Sequence, residues 1–387
     1  MKKSLLTVLA ILAIAPTFIF AQGDKEEVYN VGFIGPMTGD NANYGILTNN
    51  SAVLAVNQFN EAGGINGTPV TLITEDSEGS IEKASAGIEK LSSTDKILAL
   101  VGPVFTGPTF SVAARCQNEG IPLITPSATH ADITDTGDMV FRTVVSDGLQ
   151  GEVAGHYFYE VLGHRKIAVL YAKNDYSQGL YESMSATFES LGGEVVAAET
   201  CLVGDKDFKT QLTKIKAAQP DAIYIPNYTV EMAQILEQAA QLNVDAPFVS
   251  CDGFSNPEIY NLAGKYTDGV VYVGPAKVEA SEAFNDFVKE YSAAYGIEPD
   301  SFAINAYDGA NIILNAIKAA AADGEVTRQS VRDHIAATKD YEGVGGVINF
   351  AENGDLIAYQ GVYKVNGTTP EYLGAFTVVN GKLEKVE

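Results

Sequence analysis

Apolar positions recur along the chain in two alternating patterns. Short unbroken runs predict buried strands, and stretches with apolar residues three or four apart predict amphipathic helices. Val31-Gly32-Phe33-Ile34 reads as the first strand. The helix after it presents Ala52, Ala55, Val56 and Phe59 on one face, and Gly63-Gly64 ends it. Val70 to Thr74, Ile97 to Val101 and Ile121 to Thr125 continue as strands. Between them lie a helix carrying Ile81, Ala84, Ile88 and Leu91 and another around Phe110 to Gln117. The alternation then restarts. Ile167 to Tyr171, Val195 to Ala198, Ala222 to Ile225 and Phe248 to Cys251 read as strands, separated by helices over Tyr181 to Leu191, Phe208 to Ala218 and Val230 to Leu242. After Val270 to Val273 come three helical segments, near Ala283 to Tyr295, Ala310 to Ala322 and Ser330 to Ala337. β-like runs close the chain at Val347 to Phe350, Tyr359 to Val365 and Tyr372 to Val378.

Strands alternating with helices predict parallel sheets covered on both faces. The restart predicts an α/β protein of two doubly wound lobes. No Pro/Ser/Gly-rich tether separates them, so the chain is expected to cross between lobes on short strands that can act as a hinge.

The first residues add a compartment. Lys2 and Lys3 precede an apolar run from Leu5 to Ala15, broken by Pro16, and Phe18 to Ala21 leads into polar sequence. This is the order of an export signal, expected to be cleaved after Ala21, and the pieces are too short to span a bilayer. The mature chain is therefore expected to be soluble and periplasmic. It exceeds the ~250–300 residues at which one core stops growing, in keeping with two lobes. The formal net charge of −24 disfavours nucleic acid and anionic lipid as partners. Cys116, Cys201 and Cys251 are far apart and match no zinc spacing, and at most one pair can form.

Ligands of open parallel sheets bind beyond the carboxyl ends of the strands. Here those ends carry Tyr44, then Thr106, then Ser127-Ala128-Thr129 in the first lobe, and Tyr176, Tyr228 and Asp252 in the second. Hydroxyls and backbone amides on one side, with aromatics and one carboxylate on the other, suit a zwitterion. Thr106 and Thr129 precede helical runs, where N–H groups and the helix dipole favour a carboxylate. The Ala128 carbonyl and Asp252 can receive an ammonium, and the three tyrosines can wall the side-chain space. Each residue has a plainer role available. Thr106 and Thr129 suit helix N-caps, Asp252 before Gly253 suits a turn, and any single Tyr suits a core.

The stretches Gly35-Pro36-Met37-Thr38-Gly39, Asn60-Glu61-Ala62-Gly63-Gly64-Ile65-Asn66-Gly67 and Glu119-Gly120-Ile121-Pro122 carry a family resemblance. So do Ser127-Ala128-Thr129, Gly204-Asp205-Lys206-Asp207-Phe208 and Glu231-Met232. From about Val28 onward the chain resembles the leucine/isoleucine/valine-binding proteins of ABC importers, of the type I periplasmic binding fold. The resemblance implies two lobes joined by three crossovers and closing on the ligand. It implies a first lobe of residues 28–146 with 276–350, and a second of 147–275 with 351–387. It places Thr106 at the ligand carboxylate, Ala128 and Thr129 at the ammonium and carboxylate, and Tyr44 at the first-lobe mouth. Tyr176 and Tyr228 match aromatics of the second lobe, and Asp252 the acid that pairs with the ammonium. The sequence departs from the family where Asp252 replaces a longer Glu and where Thr106-Gly107-Pro108 replaces a Ser-rich run. Phe105 and Ser77 stand where the family's first-lobe cysteines would fall, so that disulfide is expected to be absent.

The implied function is capture of a small amino-acid-like solute, branched-chain amino acids first, by a monomer that delivers it to a membrane permease. The alternative is a periplasmic sensor or co-receptor of the same fold for a short amide or aromatic acid. Neither needs a metal or cofactor. An enzyme is disfavoured, because His130, His156, His164 and His334 are scattered and no nucleophile elbow, phosphate loop or dinucleotide fingerprint is present.

Overall fold

The computed structural model describes residues 28–386, and the expected export signal lies outside the described residues. The first half of the chain runs β1 (Tyr29–Gly35), α1 (Ala42–Glu61), β2 (Val70–Asp76), α2 (Ile81–Ser93), β3 (Ala99–Val101), α3 (Thr106–Glu119), β4 (Leu123–Thr125) and β5 (Val140–Arg142). It crosses through α4 (Asp147–His156) into β6 (Lys166–Ala172), α5 (Asp175–Ser190), β7 (Glu194–Cys201), α6 (Lys209–Ala218), β8 (Ala222–Tyr224), α7 (Thr229–Gln241), β9 (Phe248–Ser250), α8 (Glu258–Ala263) and β10 (Val271–Pro275). The chain returns with α9 (Glu282–Tyr295), α10 (Ser301–Asp323) and α11 (Arg328–Ala336), and makes a small hairpin of β11 (Tyr341–Gly343) and β12 (Gly346–Ile348). A third passage leads to β13 (Gln360–Asn366), β14 (Thr369–Val379) and β15 (Lys382–Val386).

One sheet has the order β2-β1-β3-β4-β5, with parallel pairing throughout. The other has the order β15-β14-β13-β10-β9-β8-β6-β7, parallel from β7 to β10 and antiparallel beyond. Both sheets reverse their strand order beside their first strand, at β1/β3 and at β6/β8. Those reversals are where loops diverge and leave a crevice.

Parallel strands buried on both faces explain the unbroken apolar runs. In β1, Val31 and Phe33 face the side that packs α1 and α10, while Ile34 faces α2 and α3. In β6, Val169 packs with Leu180 and Met184 of α5, and Leu170 with Leu212 and Ile215 of α6. Burying each such side chain stabilises the lobe by ~1.5–3 kcal/mol.

The sequence pattern places α1 too late. It begins at Ala42, so Tyr44 and Gly45 sit in its first turns rather than in a loop. Gly45 permits this, because a Cβ there would lie 2.1 Å from the Pro36 carbonyl oxygen. β5 and α4 carry no predicted period at all. The three cysteines are buried and free, consistent with the absence of the first-lobe disulfide. Among the described residues no helix is long and apolar enough to cross a membrane.

Candidate functional site

The carboxyl ends of the two sheets face each other across a narrow chamber whose free space, about 10 Å³, is no more than one water needs. Tyr44, Thr106 and Ser127 reach it from the first sheet, and Tyr176, Tyr228 and Asp252 from the second. Six of the eight predicted residues thus meet around one space, three from each side. Ala128 and Thr129 lie fully buried just behind the first-lobe wall. The Ala128 side chain packs in the first-lobe core, so only its backbone can serve a ligand.

The first-lobe wall is fixed by hydrogen bonds among its own loops. Thr125 Oγ1 donates to the Pro103 carbonyl (2.6 Å) and accepts from the Ala128 N–H (3.1 Å). Ser127 Oγ donates to the Val104 carbonyl at 2.5 Å, which commits its proton to the protein. Arg142, wholly buried at the end of β5, donates to the carbonyls of Thr129 (2.9 Å) and His130 (2.7 Å) and pairs with Asp355 at 2.5 Å. A buried guanidinium needs such partners, and here they fix the turn that presents Thr129.

Thr106 is the first residue of α3, whose N-cap position is Phe105 and carries no side-chain cap. Its hydroxyl therefore caps nothing, and Oγ1 is buried with no protein partner. Thr129 Oγ1 lies beside the Asp147 carboxyl without an aligned hydrogen bond. The buried Thr106 hydroxyl is costly unless something else completes it. The cap after Thr129 is His130, whose Nδ1 accepts from the Asp132 N–H at 3.2 Å while its ring packs on Phe110. His130 is a capping residue and does not line the chamber.

On the second-lobe side, Asn227 accepts from the Ala172 N–H (2.7 Å) and donates to the Leu170 carbonyl (2.7 Å), pinning the loop that carries Tyr228. Tyr176 stacks on Tyr228 with centroids 5.1 Å apart and 8° between planes. The Tyr176 hydroxyl donates to Asp252 Oδ1 at 2.6 Å and accepts from the Gly253 N–H at 3.1 Å. Gly253 is required by close approach: a Cβ there would meet the Asn227 carbonyl at 2.6 Å.

Burial pushes the Asp252 carboxyl above its usual range, and hydrogen bonds from Tyr176 and at Gln150 oppose the shift. Gln150, in α4, accepts from the Asp252 N–H (2.7 Å) and donates to Asp147 Oδ1 (3.3 Å). Burial first, then the charge of Asp252, also raises the Asp147 carboxyl. The charge of Asp252 opposes ionisation of Asp147 beside it, and a cation bound here would relieve that repulsion. Burial likewise raises the Cys251 thiol, so it stays protonated and unreactive.

The lobes touch directly. The Tyr44 hydroxyl lies 2.7 Å from Thr229 Oγ1 and donates to the Gly253 carbonyl at 3.2 Å. Asn43 Nδ2 donates to Asn256 Oδ1 at 3.0 Å. Rings of Tyr44, Phe105, Tyr228 and Phe302 form a continuous aromatic cluster across the gap. Phe105, Phe302, Asp147 and Gln150 were not among the sequence-predicted ligand residues. Phe105 stands next to Thr106 at a strand end and was within reach of the same rule. Phe302 comes from a returning helix and gave no such signal.

Behind Asp252, where the chain passes between lobes, a second cavity of about 100 Å³ opens. On the other side of Phe105 and Tyr228 lies a vestibule of about 460 Å³. Among the described residues no group of three or more His, Cys, Asp or Glu is arranged to hold a metal.

Known proteins resemble this chain over most of its length. The model of a family described as periplasmic binding protein matches residues 28–369. The leucine-, isoleucine-, valine-, threonine- and alanine-binding protein of Pseudomonas aeruginosa is 31% identical over 331 residues, covering 85% of this chain and 87% of the relative. The branched-chain amino acid transporter substrate binding protein LivJ of Streptococcus pneumoniae, solved in complex with isoleucine, superposes with a TM-score of 0.82. It is 31% identical, covering 91% of this chain and 99% of that one. The leucine binding protein LivK of Thermotoga maritima gives a TM-score of 0.83 at 28% identity, over 90% of this chain and 98% of its own.

Proposed function

The chain belongs to the periplasmic binding protein family, and we propose that it captures a free amino acid, branched-chain first, in the chamber between its lobes for an ABC importer. Relatives that bear the names of branched-chain amino-acid binders support this. One observation in the chamber carries it furthest. The unpartnered Thr106 hydroxyl stands on the first-lobe side, and the Asp252 carboxyl stands on the other. A zwitterion satisfies both at once, its carboxylate accepting from Thr106, with Thr129 reached once the turn behind the wall shifts, and its ammonium donating to Asp252 and the Ala128 carbonyl. The apolar remainder meets tyrosine and phenylalanine rings.

The Tyr44 hydroxyl already bridges the lobes across the narrow chamber, so a ligand enters an open form and selects the closed one through its extra contacts there. In this reading residues 28–146 with 276–350 form one half of the clamp and 147–275 with 351–387 the other. The protein works outside the cytoplasm as a monomer, presents its closed form to a membrane permease, and performs no catalysis. Thermal-shift screening against the twenty amino acids, short amides and aromatic acids tests the reading. A ligand at 100 times its Kd stabilises by about 2.7 kcal/mol. Shifts with aliphatic amino acids are expected. Shifts confined to aromatic acids or amides favour a sensor or importer of those solutes instead.

A further inference from the structure

The chamber is separated from the vestibule by two side chains lining both spaces, Phe105 and Tyr228. Phe105 comes from the first lobe, after β3, and Tyr228 from the second, after β8. Their ring centroids lie 4.5 Å apart at 30°, and both are nearly buried. Each ring is braced from behind. Tyr228 stacks on Tyr176. Phe105 abuts the loop after β2, where a Cβ on Gly79 would come within 3.2 Å of its ring. The pair is therefore a partition contributed by both lobes, with the Phe105 ring lying beside the Gly79 loop and against the vestibule.

We infer that Phe105 determines the upper size limit of the ligand side chain, by closing the chamber against Tyr228. This rests on the reading of the chamber as an amino-acid site. An aliphatic side chain packs against the ring and leaves the partition intact. An aromatic side chain has to displace Phe105 toward the vestibule, and the lobes then cannot close fully. Shortening Phe105 joins the small chamber to the much larger vestibule. Long side chains gain room, while an aliphatic ligand loses a contact surface and its shield from water.

The test is calorimetry of wild type, Phe105→Ala and Phe105→Leu with L-alanine, L-leucine and L-phenylalanine, with leucine release followed by stopped flow. Wild type is expected to prefer leucine over phenylalanine. Phe105→Ala should shift that ratio toward phenylalanine by roughly tenfold, the scale of discrimination a pocket makes on side-chain size, and should release leucine faster. Phe105→Leu should fall between. The ratio is the readout because a lesion that merely loosens the fold weakens both ligands alike. An unchanged ratio in Phe105→Ala overturns the inference. If that variant does not fold, an unchanged ratio in Phe105→Leu does so. Wild type binding none of the three amino acids overturns the amino-acid reading itself, a different failure.

Discussion

Removing the Tyr44 hydroxyl isolates the energy of closure. Tyr44 lies in α1 of the first lobe, and its hydroxyl bonds Thr229 (2.7 Å) and the Gly253 carbonyl (3.2 Å) of the second. Tyr44→Phe keeps the ring, so its packing on Phe105 and Phe302, with centroids 5.6 and 5.7 Å away, survives. Lost are one short and one longer buried hydrogen bond, each worth ~0.5–1.5 kcal/mol net. Closure should weaken by about 1–3 kcal/mol, a factor of roughly 5–150. The full factor appears in Kd where the open form dominates without ligand, which small-angle scattering of the ligand-free protein reports. Because both bonds join protein to protein, calorimetry should show the same fractional loss for every ligand. The reasoning fails if affinity is unchanged while the free protein is open, or if the loss differs widely between ligands.

Thr106→Val should weaken amino-acid binding by ~1.5–3 kcal/mol, because it removes a donor to a charged carboxylate. Its hydroxyl makes no protein bond, so the melting temperature without ligand should change little, and a large fall with intact affinity would contradict the role. Asp308 is buried and accepts from the N–H groups of Val344 and Gly345, both at 2.8 Å, and burial pushes its carboxyl up to about 7. Since an unfolded Asp titrates near ~3.9, the folded protein binds the extra proton. The contribution is present below the unfolded pKa and lost as pH rises through about 7. Urea midpoints from pH 4 to 8 should therefore show a loss in wild type that Asp308→Asn lacks; identical slopes would refute it.

The two doubly wound lobes were legible because parallel strands buried on both faces read as short apolar runs, as Val31 to Ile34 and Ile167 to Tyr171 do. β5 escaped notice since Val140-Phe141-Arg142 is short and ends in a cation, and its burial is explicable only by carbonyls of residues 129–130 and Asp355, distant in sequence. The site was legible where strand ends supplied it, at Thr106, Ser127, Tyr176, Tyr228 and Asp252. Tyr44 also lines the chamber, although it sits on a helix that starts earlier than the pattern indicates. Phe302, Asp147 and Gln150 reach the chamber region from helices that follow the crossovers, and no local period marks a crossover. Which hydroxyls remain unpartnered is a property of the assembled loops. Ser127 and Thr106 look alike in sequence, yet one spends its proton on Val104 and the other on nothing in the protein.

Calorimetry of wild type and Asp252→Asn with L-leucine and with 4-methylpentanoate, which is leucine without its ammonium, tests the polar division of the chamber directly. Wild type should bind leucine far more tightly than the acid, and Asp252→Asn should erase most of that difference while leaving the acid's affinity nearly unchanged or improved. Equal losses for both compounds, or a wild type indifferent to the ammonium, would contradict the account.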